Sequence, residues 1–482
     1  MKVLFVSVEM SPLVKVGGLA DVAGSLPKAL RARGLDVRLI LPLHRASDRQ
    51  RHRLARVMTA IPVPTPNGPA PVSVWQGEVS GVPVYAVDHA PMFDRPQVYG
   101  EPDDAHRWLF FCDAVLALLP HLAWQPDVMH LNDWHAAFIA ARLRGDAERV
   151  NGTAALVYTI HNLALKGEFD RSFAIEHRLP LQPPAGLEVS PQMLCSGMAL
   201  GVTYADLVTT VSPTYAREIL TPEYGAGLDP LLRQRAGDLF GILNGIDDEE
   251  FDPATDPRLP ARFSADDLAP RAEVRRFLQR LAGLDEGDAP VIGVVNRLFW
   301  QKGADIAADA VDRLLTDGTA LQFVVLGTGD PAYHEQLQAL ERRFPRSVKL
   351  YLEFNPDLAQ LIYGGSDMFL MPSRYEPCGL GQMIAMRYGS VPVVRRTGGL
   401  ADTVIDADER PAEGRGFVFD EPDGSALAAA LRRALAAYRD RPRWHAIQVN
   451  GMRADFSWNR SAGQYAEVYG MALGRRAERG HP

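Results

Sequence analysis

The chain has 482 residues, more than a single hydrophobic core usually supports, so two domains are expected. Apolar residues make up 47% and charged residues 23% of the chain, as in an ordinary globular enzyme, and a net charge of −8 argues against general nucleic-acid binding. Three scattered cysteines exclude a disulfide framework, and the lack of a long uncharged apolar run argues against a membrane span, so the sequence predicts a cytoplasmic protein.

The N-terminal stretch reads as the beginning of a doubly wound α/β sheet. A predicted strand over residues 2–8 is followed by a glycine-bearing turn and by a helix over residues 19–33. In this turn Lys15 and Gly18 could contact a phosphate, with Asp21 on the first helical turn. The alternative is that the glycines only form a turn and that Lys15 is solvated.

Two later strand ends carry polar side chains. Predicted strands over residues 127–131 and 154–160 are followed by Asp133 and by His161. Because the carboxyl ends of parallel strands share one edge of a sheet, we expect both side chains to lie at the same edge as Lys15.

A metal site is the competing interpretation of this region. His130, Asp133 and His135 resemble a ligand cluster of the kind that a metal-dependent hydrolase would use. Side chains alternate along a strand, however, so these groups need not converge, and no further ligand spacing supports them. We therefore predict neither a metal nor a cofactor.

The crossing into a second domain is placed where the chain turns acidic and proline-bearing. Asn244 lies just before this stretch, which covers residues 248–260. A new α/β series then begins with a predicted strand over residues 291–295. Arg297 and Lys302 follow that strand, where a diphosphate could bind.

A second glycine-rich turn keeps another enzyme class open. The turn from Gly327 to Ala332 fits the dinucleotide fingerprint with alanine in third place, and Glu353 lies near the distance expected for a ribose-binding acid. An NAD-dependent oxidoreductase is therefore an alternative. Against it, Asp330 as an N-cap and Pro331 at the first helical position explain the turn as an ordinary helix start.

The segment over residues 372–404 carries the strongest functional signal. An apolar run over residues 368–371 reads as a buried parallel strand, and Glu376 follows its carboxyl end. The next residues lead into a predicted helix, so their backbone amides and the helix dipole would form an anion site. They are Cys378, Gly379, Leu380 and Gly381.

A second strand and turn follow within the same segment. The strand covers residues 391–394, and the turn Thr397-Gly398-Gly399 leads to a helix that we expect to begin near Asp402. Two glycine-rich turns beside one carboxylate predict a site for a phosphate-bearing ligand.

In combination, these motifs resemble those of the bacterial glycogen synthases and plant starch synthases over residues 2–469. The resemblance implies an α/β protein of the GT-B fold, in which two Rossmann-like doubly wound domains face a central cleft. It places the N-terminal, acceptor-side domain at residues 1–245, joined by a C-terminal helix at about 456–474, and the donor-side domain at 246–455. The motifs are Lys15-Val-Gly-Gly18, His161-Asn162, Asn244-Gly-Ile-Asp247, Arg297 with Lys302-Gly303, and Glu376 to Gln382.

The resemblance also implies an activity: retaining transfer of glucose from ADP-glucose to the 4-hydroxyl at the non-reducing end of an α-1,4-glucan. It makes glycogen the expected acceptor and requires no cofactor. The sequence leaves UDP-glucose open as the donor.

Family roles carry over to the matching positions. Glu376 is expected near the transferred glucose, with Arg297 and Lys302 as the diphosphate clamp and His161 close to the reacting centre. The remaining expected donor contacts are Lys15, Gly18 and Asp21 in the first turn, Asp133, Asn244, Phe354 against the adenine, and residues 378–381.

Three positions depart from the family pattern. Gly381 stands where threonine or asparagine is common, so a hydroxyl or amide toward the phosphate is lost, although the backbone N–H remains. Ile384 replaces a frequent tyrosine, and Lys166-Gly-Glu168 replaces a frequent glutamine–glycine pattern. These departures bear on donor affinity more than on the type of reaction.

Overall fold

The computed structural model describes residues 1–145 and 154–478, and the chain divides into two compact units. The N-terminal unit comprises Met1–Gly245 together with the C-terminal segment that begins at Trp458. The second unit is Ile246–Ser457. Within the described ranges, no helix is long and apolar enough to cross a membrane.

The N-terminal unit is built on one largely parallel sheet, in the order β3-β4-β5-β2-β1-β6-β7-β8-β9. Among the strands that the structure describes in this sheet, the β3/β4 and β4/β5 pairings are antiparallel and the others are parallel. The central strands are apolar and buried on both faces, as parallel strands require. The strands are β1 (Lys2–Val6), β2 (Asp36–Pro42), β3 (Ala55–Val63), β4 (Ala70–Val79), β5 (Val82–Asp88), β6 (Val128–Asn132), β7 (Ala155–Ile160), β8 (Leu207–Thr210) and β9 (Leu239–Gly241).

Helices cover this sheet and bury separate clusters of apolar side chains. Trp108 and Phe111 belong to one cluster, and Leu26 belongs to another. The helices are α1 (Gly18–Ala32), α2 (Ala90–Phe93), α3 (Asp104–Leu118), α4 (Asp133–Ala136), α5 (Phe138–Arg144), α6 (Arg171–Glu176), α7 (Gly197–Tyr204), α8 (Pro213–Glu218) and α9 (Asp229–Gln234).

The second unit contains an entirely parallel sheet, in the order β12-β11-β10-β13-β14-β15. The chain starts in the middle, runs to one edge and then returns to build the other half. The direction reverses between β10 and β13, and open α/β sheets bind ligands at the carboxyl ends of the strands at such a point. The strands are β10 (Val291–Val295), β11 (Gln322–Leu326), β12 (Val348–Tyr351), β13 (Met368–Met371), β14 (Val391–Arg395) and β15 (Phe417–Phe419).

One helix of the second unit precedes β10, and the others follow its strands. They are α10 (Arg271–Leu281), α11 (Ala304–Thr316), α12 (Pro331–Arg343), α13 (Pro356–Gly365), α14 (Gly381–Arg387), α15 (Gly398–Thr403), α16 (Gly424–Arg439) and α17 (Arg441–Met452). The prediction that α15 begins near Asp402 is wrong, because this helix already begins at Gly398. The last helix, α18 (Trp458–Glu478), packs on α1 in the N-terminal unit and buries Tyr465 and Tyr469 there.

Candidate active site

In the second unit, the carboxylate of Glu376 lies at the point where the strand order reverses. Glu376 follows β13 and is only 4% exposed. Its Oε2 accepts hydrogen bonds from Lys302 Nζ at 2.6 Å and from Ser373 Oγ at 3.0 Å. Lys302 follows β10, the neighbouring strand. The switch point therefore brings together a carboxylate and an ammonium that are 74 residues apart in the chain.

The loops after β10 and β13 are locked together. Gly303 has a φ of 67°, and a Cβ there would lie 2.2 Å from Pro372 O, so only glycine allows this approach. The backbone N–H of Arg374 donates to the backbone oxygen of Gln301 at 2.8 Å. The Arg374 guanidinium binds both carboxylate oxygens of Asp305, at 2.9 and 2.6 Å. The hydrogen bonds from Arg374 lower the pKa of Asp305. Lys302 and Glu376 therefore lie on a rigid frame.

Arg297 presents an exposed guanidinium at the same edge of the sheet. In the parts of the chain that the structure describes, it has no carboxylate partner. Its neighbour Leu298 donates its N–H to Thr328 O at 2.8 Å and accepts from Asp330 N at 3.0 Å. An unpaired cation held by its backbone is well suited to an anionic ligand.

These contacts also explain the turn that resembles a dinucleotide fingerprint. A Cβ at Gly327 would lie 1.9 Å from Asn296 O, and one at Gly329 would lie 2.3 Å from Leu298 O. The glycines therefore let the backbone of this turn approach the Arg297 loop, and Asp330 caps α12 by accepting from Ala332 N. The dinucleotide interpretation does not hold, because the space in front of the glycines is filled by the protein's own backbone.

The segment after Glu376 presents backbone amides at the start of α14. Gly379 has a φ of 74°, and the side-chain amide of Gln382 donates to Cys378 O at 3.1 Å and to Gly379 O at 3.0 Å. These bonds fix the turn in which Leu380 and Gly381 lead into the helix. The anion site at these amides stays a prediction.

The Thr397-Gly398-Gly399 turn has a different role from the one predicted. A Cβ at Gly398 would lie 1.9 Å from Glu376 O, and the N–H of Gly399 donates to the same oxygen at 3.1 Å. The turn therefore packs against the backbone of Glu376 and binds its carbonyl oxygen. The Gly399 N–H is used in this bond and is not available to an anion.

Phe354 is the most exposed large apolar side chain of the second unit. It follows β12 and is 82% exposed, and Trp300, in the loop after β10, is 58% exposed. Both loops lie at the carboxyl edge of the sheet, where open α/β sheets bind their ligands. Exposed aromatic faces stack on planar bases.

In the N-terminal unit, the first glycine turn contains an ion pair. Lys15 Nζ lies 2.5 Å from Asp21 Oδ1, and the two side chains are 44% and 26% exposed. Burial raises the pKa of Asp21, although Lys15 opposes this effect. Gly18 begins α1, and nothing lies within 4 Å of the position a Cβ would take.

Asp133 and His161 are joined at the ends of β6 and β7. Asp133 is buried with a φ of 56°, and its Oδ1 accepts the N–H of His161 at 2.8 Å. Burial raises the pKa of Asp133 to about 7. Burial also lowers the pKa of His161 to about 3, so the imidazole is neutral near pH 7. Its Nε2 lies 2.9 Å from Asn132 Oδ1, and because an amide oxygen only accepts, Nδ1 keeps a free lone pair.

The two other histidines of the suspected metal cluster are buried and contact other side chains of the protein core. His130 bonds through its ring nitrogens to Tyr469 Oη at 2.7 Å and Thr159 Oγ1 at 2.6 Å. The His135 ring packs against Trp108. Within residues 1–145 and 154–478, no group of His, Cys, Asp and Glu side chains is arranged to hold a metal ion.

Asn244 is another buried polar group of the N-terminal unit. It is 8% exposed, and its Oδ1 has no donor among the residues that the structure describes. A buried acceptor without a protein partner is suited to a hydroxyl group of a ligand.

Lys166-Gly-Glu168 stands where a glutamine–glycine pattern is frequent in the family. The Lys166 ammonium forms an ion pair with the Glu168 carboxylate at 2.7 Å.

Sequence reasoning missed three residues that hold the site together. Ser373 donates to Glu376, Asn132 orients His161, and Glu9 binds the backbone of the Lys15 turn. Each stands at or just after a strand end, which was the only signal available in the sequence. Their partners are set by how the strands are ordered in the sheet.

Two doubly wound units with cationic and carboxylate side chains at their strand ends are the architecture expected of a glycosyltransferase of the GT-B type. A starch synthase catalytic-domain model matches residues 2–234, and a model for group 1 glycosyl transferases matches residues 279–447. The chain belongs to the glycogen and starch synthase family and is a retaining glycosyltransferase of glycogen biosynthesis.

Individual relatives match over almost the whole chain. A glycogen synthase of Moorella thermoacetica is 46% identical over 99% of this chain and 98% of its own length. A glycogen synthase of Desulforudis audaxviator is 44% identical with the same coverage. The catalytic domain of starch synthase IV from Arabidopsis thaliana, solved bound to ADP and acarbose, has a TM-score of 0.89 at 36% identity, covering 98% of this chain and 99% of that one. This match confirms the predicted GT-B fold class.

Proposed function

We propose that the protein transfers glucose, with retention of anomeric configuration, from ADP-glucose to the 4-hydroxyl at the non-reducing end of an α-1,4-glucan. The observation that carries this proposal is the Lys302–Glu376 pair at the switch point, together with Arg297, which follows the same strand as Lys302 and has no carboxylate partner among the described residues. Cations and a buried carboxylate are the groups that this reaction needs at one centre.

The donor reaction separates charge, and the second unit offers a group for each charge. Breaking the bond between glucose and phosphate leaves negative charge on ADP, which Arg297, Lys302 and the amides that precede α14 stabilise. Positive charge develops at the anomeric carbon, near which we place Glu376. Lys302 and Ser373 both bind Oε2, and no protein donor to Oε1 is found in the described ranges. That oxygen is available to the sugar.

The N-terminal unit has its own set of neutral and polar groups suited to sugar hydroxyls. His161, which is neutral at pH 7, accepts a sugar hydroxyl through Nδ1 and does not act as a proton donor. Asp133 fixes the His161 backbone, and Asn244 Oδ1 accepts another hydroxyl. Lys15 and Gly18, with Asp21 beside them, contact the donor phosphates.

Two observations favour ADP-glucose over UDP-glucose. The starch synthase IV catalytic domain, which is 36% identical to this chain, was solved with ADP. The exposed face of Phe354 offers a large stacking surface, which a purine covers better than a pyrimidine does.

Incubation with glycogen and radiolabelled ADP-glucose or UDP-glucose, in separate reactions, tests the proposal. We expect label from ADP-glucose in precipitated polymer, release of that label by β-amylase, and a rate unaffected by a chelator. The Glu376→Gln variant gives the background. Faster incorporation from UDP-glucose would overturn the donor assignment, and no incorporation from either donor would overturn the activity.

A further inference from the structure

Glu9 is a buried carboxylate whose contacts with the Lys15 turn point to a role in donor binding. It follows β1, is 2% exposed, and directs its carboxylate into the turn that carries Lys15. Its Oε2 accepts the backbone N–H groups of Val16 at 2.7 Å and of Gly17 at 3.0 Å, and its Oε1 accepts from Tyr99 Oη at 2.8 Å. A buried carboxylate therefore fills the inside of the turn.

This arrangement changes how the turn works. The N–H groups on the C-terminal side of Lys15 are bound to Glu9, so the turn is not an open cradle for phosphate. On the N-terminal side, Met10 and Val14 exchange backbone hydrogen bonds of 3.0 and 2.8 Å. Lys15 is thus held between a backbone bridge and a carboxylate, with its side chain directed outward at 44% exposure.

The chemistry favours a geometric role for Glu9. Hydrogen bonds from two backbone N–H groups to one carboxylate oxygen are charge-assisted and short, and here they fix the backbone on the C-terminal side of Lys15. Burial of an ionised carboxylate is costly unless such donors are present, so the turn and Glu9 depend on each other. Burial is the main cause of the raised pKa of Asp133, and the charge of Glu9 adds to it.

We propose that Glu9 is a positioning residue that holds the Lys15 turn in the conformation that binds the nucleotide sugar. This inference rests on the proposed function, in which Lys15 contacts the donor. Glu9 itself does not touch the substrate.

Four variants separate geometry from charge. Glu9→Gln retains an oxygen for the two N–H groups and offers an amide that can donate to the Tyr99 oxygen, so its KM for ADP-glucose should stay within about threefold of the parent value. Glu9→Asp keeps the carboxylate but shortens the side chain by one carbon, which moves the carboxylate away from the two N–H groups. Glu9→Ala removes the carboxylate. Both should raise KM about tenfold or more, with a smaller effect on kcat. Lys15→Ala reports the contribution of the lysine alone.

A double-mutant cycle distinguishes a positioning role from a purely structural one by comparing the effect of Glu9→Ala on KM with and without Lys15. If Glu9 acts through Lys15, then Glu9→Ala should change KM less than about threefold in the Lys15→Ala background, although it changes KM about tenfold in the parent. Melting temperatures of all variants identify any that fail to fold. If Glu9→Ala does not fold, the comparison of Glu9→Gln with Glu9→Asp decides.

The possible failures are distinguishable. Parent-like KM in Glu9→Asp, or effects of Glu9→Ala and Lys15→Ala that multiply, would overturn the positioning role. A parent-like Lys15→Ala enzyme would instead overturn the donor contact assigned to Lys15 under the proposed function.

Discussion

Replacement of Lys302 by methionine tests the centre of the proposed site. The change keeps nearly the same side-chain length and removes the ammonium, which lies 2.6 Å from Glu376 Oε2. The two side chains are 17% and 6% exposed, so solvent does not replace the lost charge effectively.

The expected loss has a catalytic and a structural part. Removal of one charged donor from a developing oxyanion costs about 2.7–4 kcal/mol in the transition state, so kcat should fall about 10²- to 10³-fold. The carboxylate of Glu376 then keeps only the Ser373 hydroxyl among its described partners, which should cost about 1–3 kcal/mol of unfolding free energy.

The assay is initial-rate kinetics with saturating glycogen and varied ADP-glucose, together with thermal unfolding of the same preparations. Arg313→Met is a matched control, because it breaks a 2.9 Å ion pair with Asp309 on the surface of α11, where the side chains are 52% and 44% exposed. An exposed pair contributes at most about 1 kcal/mol, so this control should have parental kcat.

A folded Lys302→Met enzyme with kcat within about threefold of the parent would refute the role of Lys302 in stabilising the leaving group. Equal losses in Lys302→Met and Arg313→Met would also refute it, since the effect would then be a general consequence of losing a cation.

Three further predictions concern other parts of the site. Phe354→Ala should weaken ADP binding in calorimetry about three- to tenfold without changing the melting temperature, because the ring is 82% exposed, whereas the control Ile175→Ala should change neither. Gly381→Ser should lower KM for ADP-glucose about fivefold by restoring a hydroxyl toward the phosphate. The new Cβ would lie 3.2 Å from Phe369, so a lower melting temperature would show that the Phe369 ring cannot move aside. The pKa of Asp133 is raised from 3.8 to about 7, so the folded state holds this proton more tightly and loses stability as pH rises through that interval. Asp133→Asn should remove that loss, and scanning fluorimetry should show its melting temperature gaining on the parent between pH 5 and pH 8.

The strands of the second unit could be predicted well, because fully buried parallel strands are short continuous apolar runs. The run over residues 368–371 coincides with β13 (Met368–Met371), and the run over 391–394 falls one residue short of β14 (Val391–Arg395). The start of α15 could not be predicted in the same way. Its first residues are glycines, which local propensity assigns to a loop, whereas their close approach to Glu376 O is what requires them.

The identities of several candidate residues could be predicted from their positions at strand ends, but their pairing could not. Lys302 and Glu376 meet because β10 lies beside β13, and Asp133 meets His161 because β6 lies beside β7. Sheet order results from how all the strands and helices pack together, so no local pattern around either residue contains it. For the same reason Glu9 reads in the sequence as a charge that ends an apolar run.

Glycine-rich turns illustrate how the structure separates packing from ligand binding. At Gly303, Gly327 and Gly398, an added Cβ would lie about 2 Å from a backbone carbonyl oxygen of the protein itself, so glycine is needed there for packing alone. At Gly18 nothing lies within 4 Å, whereas at Gly381 an added Cβ would lie in tight contact with side chains, 3.2 Å from Phe369 Cε1 and 3.4 Å from Met371 Sδ. A ligand can approach only where the protein has not already filled the space. Among these glycines, Gly18 is therefore the one whose Cβ position is open to a ligand, whereas a side chain at Gly381 must displace part of the packing around Phe369.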